Sequence, residues 1–132
     1  MEMKKYRRAI TYGTFDLFHI GHLRLLERIA MLADEVIVAV SSDEFNKIKG
    51  KKCTIPFENR RDIVAALRVV HLVIKEDSWD QKINDVKNLN CDLFVMGDDW
   101  LGKFDFLKPY CDVIYLPRTE GVSTTEIKSS LK

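Results

Sequence analysis

Two hydrophobic periods alternate along this chain. Residues 8–12 form a short apolar stretch of strand character, and beyond a glycine-containing turn Leu23, Leu25, Leu26, Ile29, Ala30 and Leu32 recur at the spacing of a helix's buried face. Residues 35–41, Glu-Val-Ile-Val-Ala-Val-Ser, are a continuous apolar run, as expected for a strand covered on both faces. Shorter runs of the same kind lie at 70–74, 93–96 and 113–116. Between them, 56–67 reads as a helix with Ile63, Val64 and Leu67 on one face, and 79–89 as a second, more polar helix. Ser123 and Glu126 have the spacing of a capping box and predict the start of a last helix. Strands and helices alternate to the end without a repeat, a low-complexity tract or a long linker. The pattern predicts an α/β fold: one Rossmann-like, doubly wound domain over residues 1–132 with a mainly parallel five-stranded sheet. In such a sheet the ligand crevice lies outside the carboxyl ends of the strands, at a topological switch point.

Composition narrows the class of partner. With 21 basic and 20 acidic residues among 132, the net charge is +1, which gives no whole-protein attraction to nucleic acid or to an anionic membrane. Any anion site must be built locally. No segment approaches the roughly 18 uninterrupted apolar residues of a membrane span, so no membrane insertion is expected. Cys53, Cys91 and Cys111 are odd in number, widely spaced and free of any Cys-x-x-Cys pattern, and read as thiols in a reducing cytoplasm. No small-residue cleavage site follows the basic start, so a secretory signal is not expected.

Four polar clusters follow the ends of expected strands. The first is Gly13-Thr14-Phe15-Asp16-Leu17-Phe18-His19-Ile20-Gly21-His22, which sets two imidazoles and two glycines at a strand-to-helix turn. Backbone N–H groups and the positive end of a helix dipole point at a ligand there, and glycine permits close approach of a phosphate. A lone histidine at a helix start is more often a cap; the pair favours a phosphate site. A zinc site on His19 and His22 would need further ligands, and no nearby Cys or carboxylate cluster completes a tetrahedral set. The second cluster, 41–52, carries Lys47, Lys49, Lys51 and Lys52 and leads on to Arg60, Arg61 and Arg68. Such a run is either a solvated face or, at the edge that holds the histidines, a lid of ammonium groups over a triphosphate and a second anion. The third is Gly97-Asp98-Asp99-Trp100, whose aspartates could bind a divalent ion, accept from ribose hydroxyls or form a turn. The fourth, Arg118-Thr119-Glu120-Gly121-Val122-Ser123-Thr124-Thr125, combines an arginine, a glycine and a hydroxyl-rich helix start, the makings of a phosphate cradle.

These segments, together with Asp43-Glu44-Phe45-Asn46, Trp79-Asp80-Gln81-Lys82 and Lys103-Phe104-Asp105-Phe106-Leu107-Lys108, resemble the glycerol-3-phosphate cytidylyltransferase family, a branch of the cytidylyltransferase-like nucleotidyltransferases. They match in order over nearly the whole chain. The His-x-Gly-His and Arg-Thr-Glu-Gly-x-Ser-Thr-Thr elements mark the superfamily; the lysines, Trp79 and Asp-Asp-Trp narrow it to the branch. One departure stands out: where that branch carries Arg-Tyr-Val-Asp before the third strand, this chain has Arg68-Val69-Val70-His71. An imidazole in that place would make the local charge pH-dependent near neutrality.

The resemblance implies transfer of a cytidylyl group from CTP to sn-glycerol 3-phosphate, giving CDP-glycerol and pyrophosphate. The acceptor oxygen is already anionic, so the barrier lies in bringing two anions together and in stabilising charge on the α-phosphorus and the leaving group. The catalytic set implied is His19, His22, Lys49 and Arg118. The histidines would bind the phosphates, Lys51 and Arg118 the triphosphate, and Lys49 and Lys82 the glycerol phosphate. Nucleotide contacts are expected from Thr14, Phe15, Ile20, Gly21, Asp98, Thr119, Glu120, Gly121, Val122, Ser123, Thr124 and Thr125. Mg²⁺ is expected to bridge phosphate oxygens, with Asp16 a candidate protein ligand. A homodimer and use of the product in wall teichoic acid or another surface polymer are implied by the resemblance alone. Two other readings remain open on the residues: a cytidylyltransferase for phosphoethanolamine, phosphocholine or a sugar phosphate, and a nucleotide-binding regulatory module.

Overall fold

The computed structural model describes residues 4–117. Five strands, β1 (Tyr6–Gly13), β2 (Ala33–Ser41), β3 (Leu72–Glu76), β4 (Leu93–Gly97) and β5 (Asp112–Leu116), form one sheet in the order β3-β2-β1-β4-β5. Every pairing is parallel. The chain winds outward from β1 to β3, returns, and winds the other way through β4 and β5. The switch point therefore lies between β1 and β4, and all carboxyl ends face one side. The expected α/β sheet is observed.

Continuous apolar runs in the central strands follow from burial on both faces. Side chains alternate across a strand, so Ala9, Val36, Val38, Val40, Leu93 and Val95 face one layer. Ile10, Tyr12, Ile37, Ala39, Phe94 and Met96 face the other. The first layer packs on Leu26 and Ile29 of α1 (Ile20–Ala30) and on Phe57 and Val64 of α3 (Phe57–Ala65). The second packs on Val86 of α4 (Lys82–Asn88) with Phe104, Leu107 and Cys111.

Four sequence expectations need correction. The run at 41–52 contains a short helix, α2 (Asp43–Ile48), capped by the Ser42 hydroxyl, which accepts from the Phe45 N–H at 3.0 Å. Ile63 is 44% exposed, because the buried stripe of α3 is Phe57, Arg60 and Val64. An arginine in the middle of that stripe hides it from a search for apolar periodicity. The third strand begins at Leu72, two places later than expected, while Val69 and Val70 pack on the core from the preceding turn. The expected helix over 79–89 starts with a 3₁₀ turn, Trp79–Gln81, before α4. The helix expected after Ser123 lies outside the described residues.

His71 has a definite place in this frame. Its backbone N–H donates to the Val36 carbonyl at 2.9 Å, and its Nδ1 accepts the Val36 N–H at 3.0 Å. Asp92 does the same just before β4, accepting from the N–H groups of Arg7 and Arg8 at 2.9 and 2.8 Å. The departure from the branch pattern thus sits at the amino end of the sheet, away from the crevice. An acceptor is what the position requires, and both imidazole and carboxylate supply one. Replacing His71 by leucine is expected to destabilise the protein by about 1–3 kcal/mol through the unpaired Val36 N–H, while His71→Asp stays near neutral. Urea unfolding of both variants checks this; equal losses would remove the acceptor role.

Candidate active site

The turn from β1 into α1 is shaped by close packing. A Cβ at Gly13 would lie 2.8 Å from the Phe15 ring, so only glycine lets that ring fold back over the strand end. Phe15 and Leu17 take left-handed backbone angles, φ 54° and 49°, which for residues with side chains cost about 1–3 kcal/mol each. The buried Phe15 ring stacks beside Phe18 at 6.3 Å between centroids and lies 5.4 Å from the His22 ring. This packing holds the strained turn in place.

The two histidines cap the helix reciprocally. His19 is the N-cap residue, and its Nδ1 accepts the Gly21 N–H at 3.0 Å. The Nδ1 of His22 in turn accepts the His19 N–H at 3.2 Å. The rings stack 3.9 Å apart. Because each Nδ1 serves as an acceptor, the proton of the neutral ring must lie on Nε2. Burial pushes the His22 imidazole from 6.5 down to about 4, with the His19 ring adding to the effect and Asp16 opposing it. His22 therefore acts as an uncharged N–H donor at neutral pH.

That depression has a consequence for stability. The unfolded chain protonates His22 near pH 6.5 and the folded chain only near 4, so between these values the unfolded state binds more protons. Stability is expected to fall as pH drops through this window and to lose nothing further from this residue below it. Urea midpoints followed from neutral pH to about 4 should fall more steeply for the wild type than for His22→Asn. Parallel curves would contradict the assignment.

At the same sheet end lies a cavity of about 440 Å³. Strand ends supply Tyr12, Gly13, Glu76 and Met96; loops and helix starts supply Thr14, Phe15, Asp16, His22, Lys49, Lys51, Lys52, Cys53, Trp79, Lys82, Trp100 and Phe104. Of the residues singled out from sequence, Thr14, Phe15, Asp16, His22, Lys49, Lys51 and Lys82 are brought together here. His19 stacks on His22 just beside them. Ile20, Gly21 and Asp98 are not part of the wall; Asp98 sits exposed on the 3₁₀ turn Asp98–Trp100. Arg118, Thr119, Glu120, Gly121, Val122, Ser123, Thr124 and Thr125 lie outside the described residues.

The lysines of the second cluster are not equivalent. Lys47 is on α2 and outside the cavity wall, whereas Lys51 and Lys52 are exposed members of it. Lys49 is half-buried, its Nζ 4.7 Å from the Phe45 ring centroid and 5.9 Å from that of Trp79. Burial holds its ammonium below the ordinary lysine value, with Glu76 opposing and Lys51 and Lys82 adding to the shift. Lys82 is buried and pairs with Glu76 at 2.8 Å. Its charge is thereby balanced on the cavity wall, where Lys49 and Lys51 add further positive charge.

Beneath the wall runs a polar brace that sequence reading missed. The fully buried Arg60 guanidinium donates to the carbonyls of Ile55 (2.8 Å), Thr14 (2.9 Å) and Ser41 (2.7 Å) and to the Asp43 carboxylate (2.7 Å). It joins the ends of β1 and β2 to α2 and to the segment before α3. Burial works against the Asp43 carboxylate, but the Phe57 N–H and Arg60 together hold it below its usual range. Asp16 ties the same segment from the other side, accepting the N–H groups of Thr54 and Ile55 at 2.8 and 2.9 Å. Among the described residues no group of three or more His, Cys, Asp or Glu side chains is placed to hold a metal. The arrangement offers imidazole N–H donors, ammonium groups and a helix start around a cavity, the equipment for binding and polarising phosphates without a protein nucleophile.

Comparison with known proteins agrees with this equipment. Residues 10–130 match the model of the cytidylyltransferase-like family. The chain is 55% identical over 125 residues to a glycerol-3-phosphate cytidylyltransferase of Bacillus spizizenii, covering 95% of this chain and 97% of that one. It is 54% identical over 125 residues to the enzyme of the same name from Staphylococcus aureus, with 95% of each chain covered. Among solved structures, a lipopolysaccharide core biosynthesis protein from Thermoplasma volcanium superposes with a TM-score of 0.74 at 22% identity, covering 87% of this chain and 99% of that one. A bifunctional NMN adenylyltransferase/ADP ribose pyrophosphatase from Francisella tularensis gives 0.70 at 19% identity, over 95% of this chain and 42% of that one. Those two likenesses concern the fold.

Proposed function

Because this chain belongs to the cytidylyltransferase-like family, we propose that it transfers the cytidylyl group of CTP to sn-glycerol 3-phosphate, releasing pyrophosphate and forming CDP-glycerol. The observation that carries the choice of substrates is the end-to-end match, at 54–55% identity, to enzymes named for that reaction. A phosphate oxygen of the acceptor attacks the α-phosphorus in line with the departing pyrophosphate. That oxygen is anionic at neutral pH and needs no base, so the protein's task is to hold two anions together and to spread the charge that develops.

In this reading the Nε2–H groups of His19 and His22 donate to phosphate oxygens as the in-line geometry is reached. His22 is a neutral donor and the cap fixes both rings, so little reorganisation accompanies the reaction. Lys51 and Arg118 hold the triphosphate. Lys49 and Lys82 face the acceptor, and Thr14, Phe15 and the 119–125 segment meet the nucleotide. Mg²⁺ carried on the phosphates would neutralise part of their charge, and an ion that keeps its water shell needs few protein ligands. Asp16 is the described candidate for contact with that shell, alongside its two bonds to backbone N–H groups. We further place the protein in the cytoplasm as a homodimer whose product feeds a glycerol-phosphate surface polymer such as wall teichoic acid. No described helix is long and apolar enough to cross a membrane.

Pyrophosphate release with CTP, ATP, GTP and UTP against a panel of phosphorylated alcohols tests the reading. Activity confined to CTP with glycerol 3-phosphate is expected, and strong activity with another pair overturns it. Lys49→Ala is expected to raise the KM for the acceptor more than that for CTP. The reverse pattern would exchange the assignments of Lys49 and Lys51.

A further inference from the structure

The buried ammonium of Lys82 sits in an aromatic cage. Its Nζ lies 4.7 Å from the ring centroid of Tyr12, 5.3 Å from Phe104 and 5.4 Å from Trp79. Glu76 completes the enclosure at 2.8 Å, and the two side chains are only 2% and 4% exposed. All five residues belong to the cavity wall. Aromatic faces gathered around a cation are the chemistry by which choline and other quaternary ammonium groups are recognised. Here the cage is filled from within, by a lysine anchored at the first residue of α4.

We propose that Lys82 is a specificity-determining residue: by occupying the cage of Tyr12, Trp79 and Phe104 and balancing Glu76, it excludes phosphorylated alcohols that carry a cationic arm and reserves the cavity for a neutral polyol phosphate. The inference rests on the phosphoalcohol reading given above. An acceptor with an ammonium or trimethylammonium arm meets a resident cation where its own charge would be received. Lys49, in the same wall, adds a second like charge. The carboxylate that could compensate is already paired at 2.8 Å. A neutral diol meets no such conflict, since hydroxyls can accept from an ammonium and donate to a carboxylate. Discrimination by a built-in repulsive element needs no additional contact with the preferred substrate.

A merely structural ion pair would make a different prediction. Removing Lys82 would then cost stability and create no new recognition, whereas an occupied cage opens when its occupant is removed. Lys82→Ala leaves three aromatic faces and a carboxylate without its 2.8 Å partner, the composition of a quaternary ammonium site. Choline is the probe, with uncharged 3,3-dimethylbutanol as its isostere. Choline is expected to raise the unfolding temperature of Lys82→Ala and not that of the wild type, and to bind the variant at least about tenfold more tightly than the isostere does. The double variant Lys82→Ala/Glu76→Gln should lose most of that preference. Should Lys82→Ala fail to fold alone, millimolar choline is expected to restore its unfolding transition. In turnover, the ratio of kcat/KM for phosphocholine to that for glycerol 3-phosphate should rise at least about tenfold in the variant.

A Lys82→Ala protein that is indifferent to choline by binding and by refolding overturns the inference while leaving the glycerol 3-phosphate reading intact. A wild type that uses phosphocholine in preference to glycerol 3-phosphate overturns both. If the wild type takes some other neutral acceptor, the substrate reading fails and the choline measurements still decide the role of the cage.

Discussion

Replacing His19 or His22 with asparagine is expected to lower kcat for cytidylyl transfer by about 10²–10³, or about 3–4 kcal/mol, the loss typical of one preorganised donor to developing negative charge. Asparagine is the informative choice because each imidazole has two separable tasks. Nδ1 caps the helix, at 3.0 Å for His19 on Gly21 and 3.2 Å for His22 on His19. Nε2–H lies on the other side of the ring, and in the proposed mechanism it is the group that meets the phosphate. At His19 an amide oxygen takes over the first task, since asparagine is among the best N-cap residues, and at the N3 position of His22 an amide oxygen is likewise an acceptor for the His19 N–H. It does not reach the place of Nε2–H. The expected result is therefore a thermal midpoint close to that of the wild type with turnover nearly lost. Near-normal turnover in His19→Asn would remove that residue from the mechanism; a collapse of stability with turnover per folded molecule preserved would reduce the pair to caps.

Arg60→Met is the substitution expected to destabilise most. The arginine donates four hydrogen bonds from a side chain with no exposure, and three go to carbonyls that already lie at strand ends or in loops. Removing one partner of a buried charged network costs about 3–5 kcal/mol, because the groups left behind are unsatisfied in a medium that cannot hydrate them. For a domain of this size that corresponds to a fall in Tm of roughly 10 °C or more. Arg60→Lys should rescue little, since one ammonium cannot span acceptors on Thr14, Ser41, Asp43 and Ile55 at once. Calorimetry of both variants gives the answer, and a loss below about 1 kcal/mol in Arg60→Met would mean that the brace is replaceable. Weaker CTP binding should accompany the loss, as Thr14 is held by the same guanidinium.

Much of the architecture was legible because sheet burial is written in consecutive residues. The run 35–41 is apolar at nearly every position, which only a strand covered on both faces tolerates, and β2 is such a strand between β1 and β3. His19 and His22 were legible for a related reason: their spacing places both on the first turn of a helix, whatever that helix packs against. The lysine cluster was legible only as charge. α2 went unread although Ser42 followed by Asp43 and Glu44 is the composition of a helix start, because its six residues are too few to show a period. Arg60 was counted with the surface cations, since nothing local distinguishes an exposed arginine from a buried one.

The sequence by itself determined the alternation of strand and helix, the parallel sheet with polar clusters after its strand ends, and the histidine turn with its glycine at 13. Each of these depends on neighbours in the chain: side-chain alternation, helical spacing, capping chemistry. Tertiary structure alone decided which charges are spent on the fold and which remain for a ligand. Arg60 is consumed by three carbonyls and Asp43, whereas Asp16 shares its carboxylate with two backbone N–H groups, and Lys82, although paired with Glu76 among three rings, stays on the cavity wall. Charge is additive along a sequence, but its free energy depends on burial and on the partner a few ångströms away, and only folding brings that partner near.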